Sequence, residues 1–77
     1  MGNIKEEFGK HLKKVRKEKG LTQAALAELM NTTIQTIGNL ECGRHWPSHE
    51  TVEDLLAALK ARPEELFAFQ WPARRRK

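Results

Sequence analysis

Apolar residues recur every three or four positions along most of the chain, the spacing that places them on one face of an α-helix. The first such stripe falls in residues 4–19 and consists of Ile4, Phe8, Leu12 and Val15. Gly20 follows the last turn of this stripe, where a helix commonly ends in the left-handed conformation that glycine adopts without steric cost. The pattern predicts a first amphipathic helix that ends just before Gly20.

Two shorter helices are predicted next, joined by about three residues. Thr22 is a suitable N-cap for a second helix through Met30. The apolar face of this helix is formed by Leu26, Leu29 and Met30. Asn31 tolerates the left-handed conformation that a tight turn requires. A third helix is predicted from about Thr33 to Glu41, with Ile37 and Leu40 on its buried side.

The remaining sequence predicts two more helices. Ser48 caps the fourth, whose apolar face is formed by Val52, Leu55, Leu56 and Leu59. Pro63 suits the first turn of a short fifth helix, which carries Leu66, Phe67 and Phe69. No segment alternates with the period of a strand. We therefore expect a compact, all-α, five-helix domain over residues 1–71, followed by a basic, disordered tail over residues 72–77.

The net charge of +4 is unevenly distributed along the 77 residues. Residues 1–19 carry +4 and the tail 74–77 carries +4, whereas residues 20–43 and 44–73 each carry −2. A basic balance favours a nucleic-acid partner. The positive charge nevertheless lies in the first helix and the tail, so the third helix is predicted to be neutral and amide-bearing.

Size and composition narrow the class of protein. A 77-residue chain has room for one domain and little space for an enclosed active site. The single cysteine, Cys42, excludes an intrachain disulfide and fits a reducing compartment. No apolar run approaches the roughly 20 residues of a membrane span, and residues 1–10 lack the apolar core of a signal peptide. We expect a cytoplasmic protein without a membrane partner, a cofactor or a small-molecule substrate.

The second and third predicted helices carry the most informative pattern. Two helices joined by a short turn form the compact pair that presents the second helix to the major groove of DNA. The motif covers about residues 22–42. It opens with the sequence Gly20-Leu21-Thr22-Gln23, and Gly43-x-x-x-Pro47 follows it. In order and spacing, the chain resembles the lambda repressor-like, Cro/C1-type helix-turn-helix family, the XRE-like regulators.

This resemblance implies roles for individual residues. Gln35 and Asn39 lie on the exposed face of the recognition helix and have the paired donor and acceptor that read adenine. Ile34 on the same face is suited to a thymine methyl group. Thr33 lies on this face as well, at the start of the helix. Phosphate contacts are implied for Gln23, Thr36 and Arg44.

The resemblance also implies a structural ion pair between Arg16 in the first helix and Glu41 at the end of the third. The chain departs from the family pattern at four places. Asn31 replaces a turn glycine, Gly38 lies inside the recognition helix, and Arg62 stands at a capping position. The recognition helix has no Lys or Arg, so the common contact from Arg to guanine is absent.

Other groups of residues have competing interpretations. Cys42, His45 and His49 have the spacing of half a zinc site, but three ligands without a second pair favour no metal. The lysines of the first helix are interpreted as a solvated face rather than as a DNA contact. The tail Arg74–Lys77 has two equal interpretations, attraction to phosphates or a solubilising end of the chain. His11 is predicted to be exposed.

Large aromatic residues near the C-terminal end exceed what the core of one small domain needs. An apolar patch of this kind commonly marks an interface. We predict a homodimer whose interface comprises Leu66, Phe67, Phe69 and Trp71. A two-fold dimer would set two recognition helices about 34 Å apart, matching a pseudo-palindromic operator.

Two functions follow from these patterns. The first is a small transcriptional regulator, such as a phage-type repressor, an antitoxin autoregulator or a restriction-modification controller, that binds duplex DNA. The second is a helix-turn-helix fold used as a protein-interaction adaptor, which the acidic 20–43 segment and Gly38 favour. No nucleophile–base pair or phosphate loop supports an enzyme.

Overall fold

A computed structural model describes residues 3–69 of the chain. This part of the chain forms five α-helices and no strand, so the predicted all-α, five-helix architecture is confirmed. The helices are α1 (Ile4–Glu18), α2 (Gln23–Leu29), α3 (Ile34–Glu41), α4 (His49–Leu59) and α5 (Pro63–Leu66). The predicted domain boundary at residue 71, the predicted interface residue Trp71 and the predicted tail over residues 72–77 lie outside the described residues.

Side-chain caps define where the helices begin. The hydroxyl of Thr22 accepts a hydrogen bond from the Ala25 amide at 3.0 Å, and that of Thr33 accepts one from the Thr36 amide at 3.1 Å. Ser48 does the same at the start of α4. Each cap satisfies an amide that has no partner within its own helix. The predicted N-caps of α2, α3 and α4 are therefore confirmed.

A residue in the left-handed conformation follows each of the helices α1 to α4. Gly20 has a φ of +77° just after α1. Asn31 has a φ of +56° in the turn between α2 and α3, where the family pattern has glycine. A short polar side chain makes that conformation tolerable. Arg62 provides no side-chain hydrogen bond to α5, which instead begins with Pro63.

The core lies where α1 packs on α3 and α5 while α2 packs on α3 and α4. Its buried apolar residues come from all five helices: Phe8, Leu12, Val15, Leu26, Ala27, Ile37, Leu40, Leu55, Leu59 and Leu66. Gly9 lets α1 approach the end of α3 closely. A methyl group on its Cα would lie 2.6 Å from the Leu40 carbonyl oxygen and closer still to that of Glu41.

Aromatic side chains pack on the N-terminal half of α1. The ring of Phe8 packs against Trp46 and Phe67, with ring centroids 5.2 Å and 5.5 Å away. Phe69 contacts both Phe8 and His11. This arrangement closes the core over α1 and fixes the loop that precedes α4 to the segment that follows α5.

Polar contacts also attach α5 to α1. Nε2 of His11 donates to the Glu65 carbonyl oxygen at 2.8 Å. Lys19 Nζ lies 3.1 Å from Glu65 Oε2. The hydrogen bond from the Lys19 side chain holds the pKa of the Glu65 carboxyl below its usual value. The short fifth helix is therefore held by specific contacts as well as by Leu66.

Four sequence predictions need correction. Ile4 and Leu29 were placed on apolar faces but are 40% and 60% exposed, because each lies at the end of a helix beyond its neighbours. His11 was predicted to be exposed, yet it is half-buried between α5 and Phe69. Leu66 was placed in a dimer interface but is completely buried in the core of one protomer.

Within residues 3–69, no helix is long and apolar enough to cross a membrane.

Candidate nucleic-acid interface

The third helix has one face in the core and one in solvent. Ile37 and Leu40 are buried on the inner side. Three consecutive residues of the first turn are exposed: Ile34, Gln35 and Thr36. Asn39 follows Gln35 by one turn, so both amide side chains share a face, although Asn39 is half-buried. α3 therefore presents a neutral, hydrogen-bonding surface that includes a half-exposed isoleucine.

A buried ion pair anchors the end of α3 to α1. Arg16 Nε donates to Glu41 Oε2 at 2.6 Å, and a second guanidinium nitrogen donates to Oε1 at 3.1 Å. Both side chains are almost completely buried. This two-point geometry is the strong arrangement for a guanidinium and a carboxylate. The structure thus brings together the two residues that the family resemblance paired.

The same ion pair extends to the start of the helix-turn-helix. Arg16 also donates to the carbonyl oxygen of Leu21, in the loop before α2, at 2.8 Å. Gln23, the first residue of α2, donates from Nε2 to Glu41 Oε1 at 3.0 Å. One guanidinium and one carboxylate therefore connect α1, the α1–α2 loop, α2 and α3.

Gln23 consequently has a contact that its predicted role did not include. In this structure its amide nitrogen is bound to Glu41, while the predicted contact with a phosphate stays a prediction. No spacing rule could reveal this hydrogen bond, because Gln23 and Glu41 are 18 positions apart.

Three further predicted DNA-contacting residues lie at the two ends of α3. Thr33 and Thr36 share a hydrogen bond between their hydroxyls at 3.0 Å, next to the N-cap interaction. Arg44 is exposed in the loop after α3. Its backbone amide donates to the Asn39 carbonyl oxygen at 3.0 Å, which fixes the start of the loop against the helix.

The interpretation of Cys42, His45 and His49 as half a zinc site gains no support. Among residues 3–69, no group of three or more His, Cys, Asp or Glu side chains is arranged to hold a metal ion. Cys42 is exposed, and its thiol lies 3.6 Å from the Asn39 carbonyl oxygen. His49 instead lies 3.2 Å from Glu53 along α4.

Two short helices joined by a four-residue turn, with a polar face exposed on the second, define a helix-turn-helix domain. A family model for the helix-turn-helix domain matches residues 7–69, and the chain belongs to this family. The match spans all of α2 and α3 and all of the core described above.

Individual proteins agree with this assignment. The chain is similar to the uncharacterised HTH-type transcriptional regulator YazB of Bacillus subtilis (strain 168), with 30% identity over 61 residues, 79% of this chain and 88% of that protein. It also resembles the restriction-modification controller protein C.AhdI from Aeromonas hydrophila, with 35% identity and a TM-score of 0.76 over 80% of this chain and 94% of the other.

A third similar structure is the clp gene regulator ClgR from C. glutamicum. It is 28% identical, with a TM-score of 0.81 over 88% of each chain. Together these similarities confirm an XRE-like, Cro/C1-type helix-turn-helix transcriptional regulator rather than an enzyme.

Proposed function

We propose that this regulator binds specific sequences of duplex DNA by inserting α3 into the major groove. The observation that carries the proposal is the division of α3 into an anchored face and an exposed face. The Arg16–Glu41 ion pair and the core fix the inner side. Gln35 and its neighbours remain available in solvent. The groove is about 12 Å wide and accommodates a single helix held in this way.

The exposed chemistry of α3 favours half-sites that contain A·T pairs. Gln35 and Asn39 each offer the paired donor and acceptor that match adenine in the major groove. Ile34 is 52% exposed and has no hydrogen-bonding group, so its best partner is the methyl group of thymine. α3 contains no Arg or Lys to read guanine.

Phosphate contacts at both ends of α3 complete the proposed docking. Thr33 and Thr36 lie at its beginning, Arg44 follows its end, and Gln23 begins the neighbouring helix. Such contacts fix the register of the protein on DNA but carry no base specificity. The proposed regulator acts by occupying DNA in the cytoplasm, where the exposed thiol of Cys42 remains reduced.

Alanine substitutions at Gln35 and Asn39 test the proposed reading. Each should cost about 1–3 kcal/mol of binding free energy on the preferred site, because a bidentate contact with one base is lost. The preferred site is first selected from random duplex DNA, and affinities are then measured by fluorescence anisotropy. Binding to an unrelated duplex should not change, which provides the control.

Two results would contradict this proposal. If both variants bind the selected site like wild type, α3 is not the reading helix. If wild type binds duplex DNA weakly and without dependence on salt, the fold serves instead as a protein-interaction adaptor. DNA binding requires the logarithm of affinity to fall with the logarithm of salt concentration.

We further propose that the regulator acts as a homodimer on a pseudo-palindromic operator. Leu66 is removed from the proposed interface because it is buried, and Trp71 lies outside the described residues. Phe67 and Phe69 remain, since both are half-buried. Phe67 packs beside the exposed Trp46, and Phe69 packs beside Phe67. This leaves an aromatic surface on which a second copy can bury apolar area.

Sedimentation tests the dimer directly. At micromolar concentration the wild type should sediment with twice the monomer mass of 8.9 kDa. Phe69→Glu should shift the protein to the monomer, because a carboxylate in an apolar interface is strongly unfavourable. Leu29→Glu, on an exposed leucine elsewhere, is the matched control and should remain dimeric. If the wild type sediments as a monomer both in the absence of DNA and when bound to DNA, the dimer is ruled out.

A further inference from the structure

A cleft runs between the C-terminal half of α1 and the start of the helix-turn-helix. Lys13 and Lys17 line one side of this cleft, and Thr22 and Gln23 line the other. Ile34, the first residue of the recognition helix, lines it as well. The cleft therefore joins cationic side chains of α1 directly to the face of α3 that we propose reads DNA.

Four exposed lysines in the middle and C-terminal turns of α1 fall into two groups by their partners. Lys10 and Lys14 form ion pairs with Glu7 and Glu18, at 3.7 Å and 3.0 Å. Lys13 and Lys17 are exposed, and neither forms an ion pair within residues 3–69.

This difference creates an asymmetric field around α1. Each carboxylate largely cancels the local field of its paired lysine, so from Lys10 onward the uncompensated lysine charge of α1 lies along the cleft. Lys13 and Lys17 are four positions apart and share one face of α1, separated by about 6 Å along the helix. The phosphates of one DNA strand recur about every 3.4 Å along the duplex. Two flexible lysines at this spacing reach neighbouring phosphates.

We propose that Lys13 and Lys17 bind the phosphodiester backbone of one DNA strand at the edge of the groove that α3 enters. This inference rests on the proposed function and specifies where its electrostatic affinity originates. α3 itself has no cation, so the neutralisation of phosphates has to come from elements beside it. The cleft places two uncompensated cations next to Ile34, at one edge of the proposed reading face.

Two double variants with the same change in net charge test the proposal. Lys13→Ala/Lys17→Ala removes the cleft lysines, and Lys10→Ala/Lys14→Ala removes the paired lysines of the same helix. Affinity for the selected duplex is measured by fluorescence anisotropy from about 0.05 to 1 M salt. Far-UV circular dichroism and melting temperature should match wild type in both, because all four side chains are exposed.

In the cleft variant, log affinity should fall less steeply with log salt. The slope should become less negative by about 1.8, which is about 0.9 for each lost phosphate contact. If binding is equal at 1 M salt, this slope corresponds to a loss of about 60-fold at 0.1 M. The control variant should keep the wild-type slope and lose no more than about threefold in affinity. Lys13→Arg/Lys17→Arg should restore the slope.

Three results would overturn the proposal. A wild-type slope in the cleft variant shows that the two lysines do not contact phosphates, while leaving DNA binding itself intact. Equal slopes and losses in both double variants show that only net charge matters. If the wild type binds duplex DNA without salt dependence, the proposed function is wrong, and so is this inference.

Discussion

Glu41→Ala is expected to destabilise the domain by about 3–5 kcal/mol. Arg16 would keep its buried position but lose both hydrogen bonds to the carboxylate, and a buried charge without a partner is costly. Gln23 would lose its acceptor at the same time. In a domain of this size, 1 kcal/mol corresponds to about 4–8 °C, so the melting temperature should fall by at least about 12 °C. Thermal and urea unfolding followed by circular dichroism measure both quantities.

A double variant separates the cost of an orphaned charge from the value of the pair. Arg16→Met/Glu41→Leu removes both charges and fills similar volume, so it should be much less destabilising than Glu41→Ala alone. If Glu41→Ala unfolds at the wild-type temperature, the ion pair does not hold α1 to α3. If the double variant is as unstable as Glu41→Ala, the loss of stability comes from the lost contacts of the charged groups and not from an unpaired charge.

Gly9→Ala is expected to destabilise the domain by about 2–3 kcal/mol. Alanine normally favours a helix over glycine by about 1 kcal/mol. Here the added methyl group would meet backbone carbonyls at the end of α3, with the Leu40 oxygen only 2.6 Å away. Backbone atoms cannot rotate aside as a side chain does, so α1 and α3 must separate and loosen the core. Equilibrium unfolding in urea measures the loss.

Gly38→Ala is the matched control, since it is the same substitution inside another helix. An added methyl group at Gly38 has no neighbour within 4 Å. The variant should therefore gain about 0.5–1 kcal/mol from helix propensity alone. Equal effects of the two substitutions, in either direction, would contradict the close packing assigned to Gly9.

Local chemistry explains why the helices could be predicted from the sequence. Thr22, Thr33 and Ser48 each cap a helix through a hydroxyl that bonds an amide three positions later. Asn31 adopts the left-handed turn that its short side chain permits. These interactions lie within a few residues of one another, so the sequence contains all the information they need.

Contacts between distant segments explain what the sequence could not predict. His11 is covered by a segment that begins 54 positions later, and nothing near His11 indicates this. Leu66 and Phe67 were interpreted as excess apolar surface, yet Leu66 completes the core and Phe67 stacks on Phe8. Periodicity identifies which residues are apolar but does not show how many of them one core requires.

The candidate site also combines features that the sequence could predict with features that it could not. The exposed face of α3 follows from helical spacing, so Gln35 and Asn39 could be placed from the sequence. The hydrogen bond from Gln23 to Glu41 depends on how α2 packs on α3. The different surroundings of Lys13 and Lys14, one on the cleft and one paired with Glu18, depend on where α1 lies relative to the helix-turn-helix.

The division of α3 also has an evolutionary consequence. The fold depends on Ile37, Leu40 and Glu41, whereas Ile34 and Gln35 contribute almost nothing to the core. Substitutions at these exposed positions are therefore nearly free of a stability penalty. On the docking proposed above, a new target preference can arise by changing a few side chains while the scaffold stays the same. Related regulators can diverge in the genes they control without first acquiring compensating mutations.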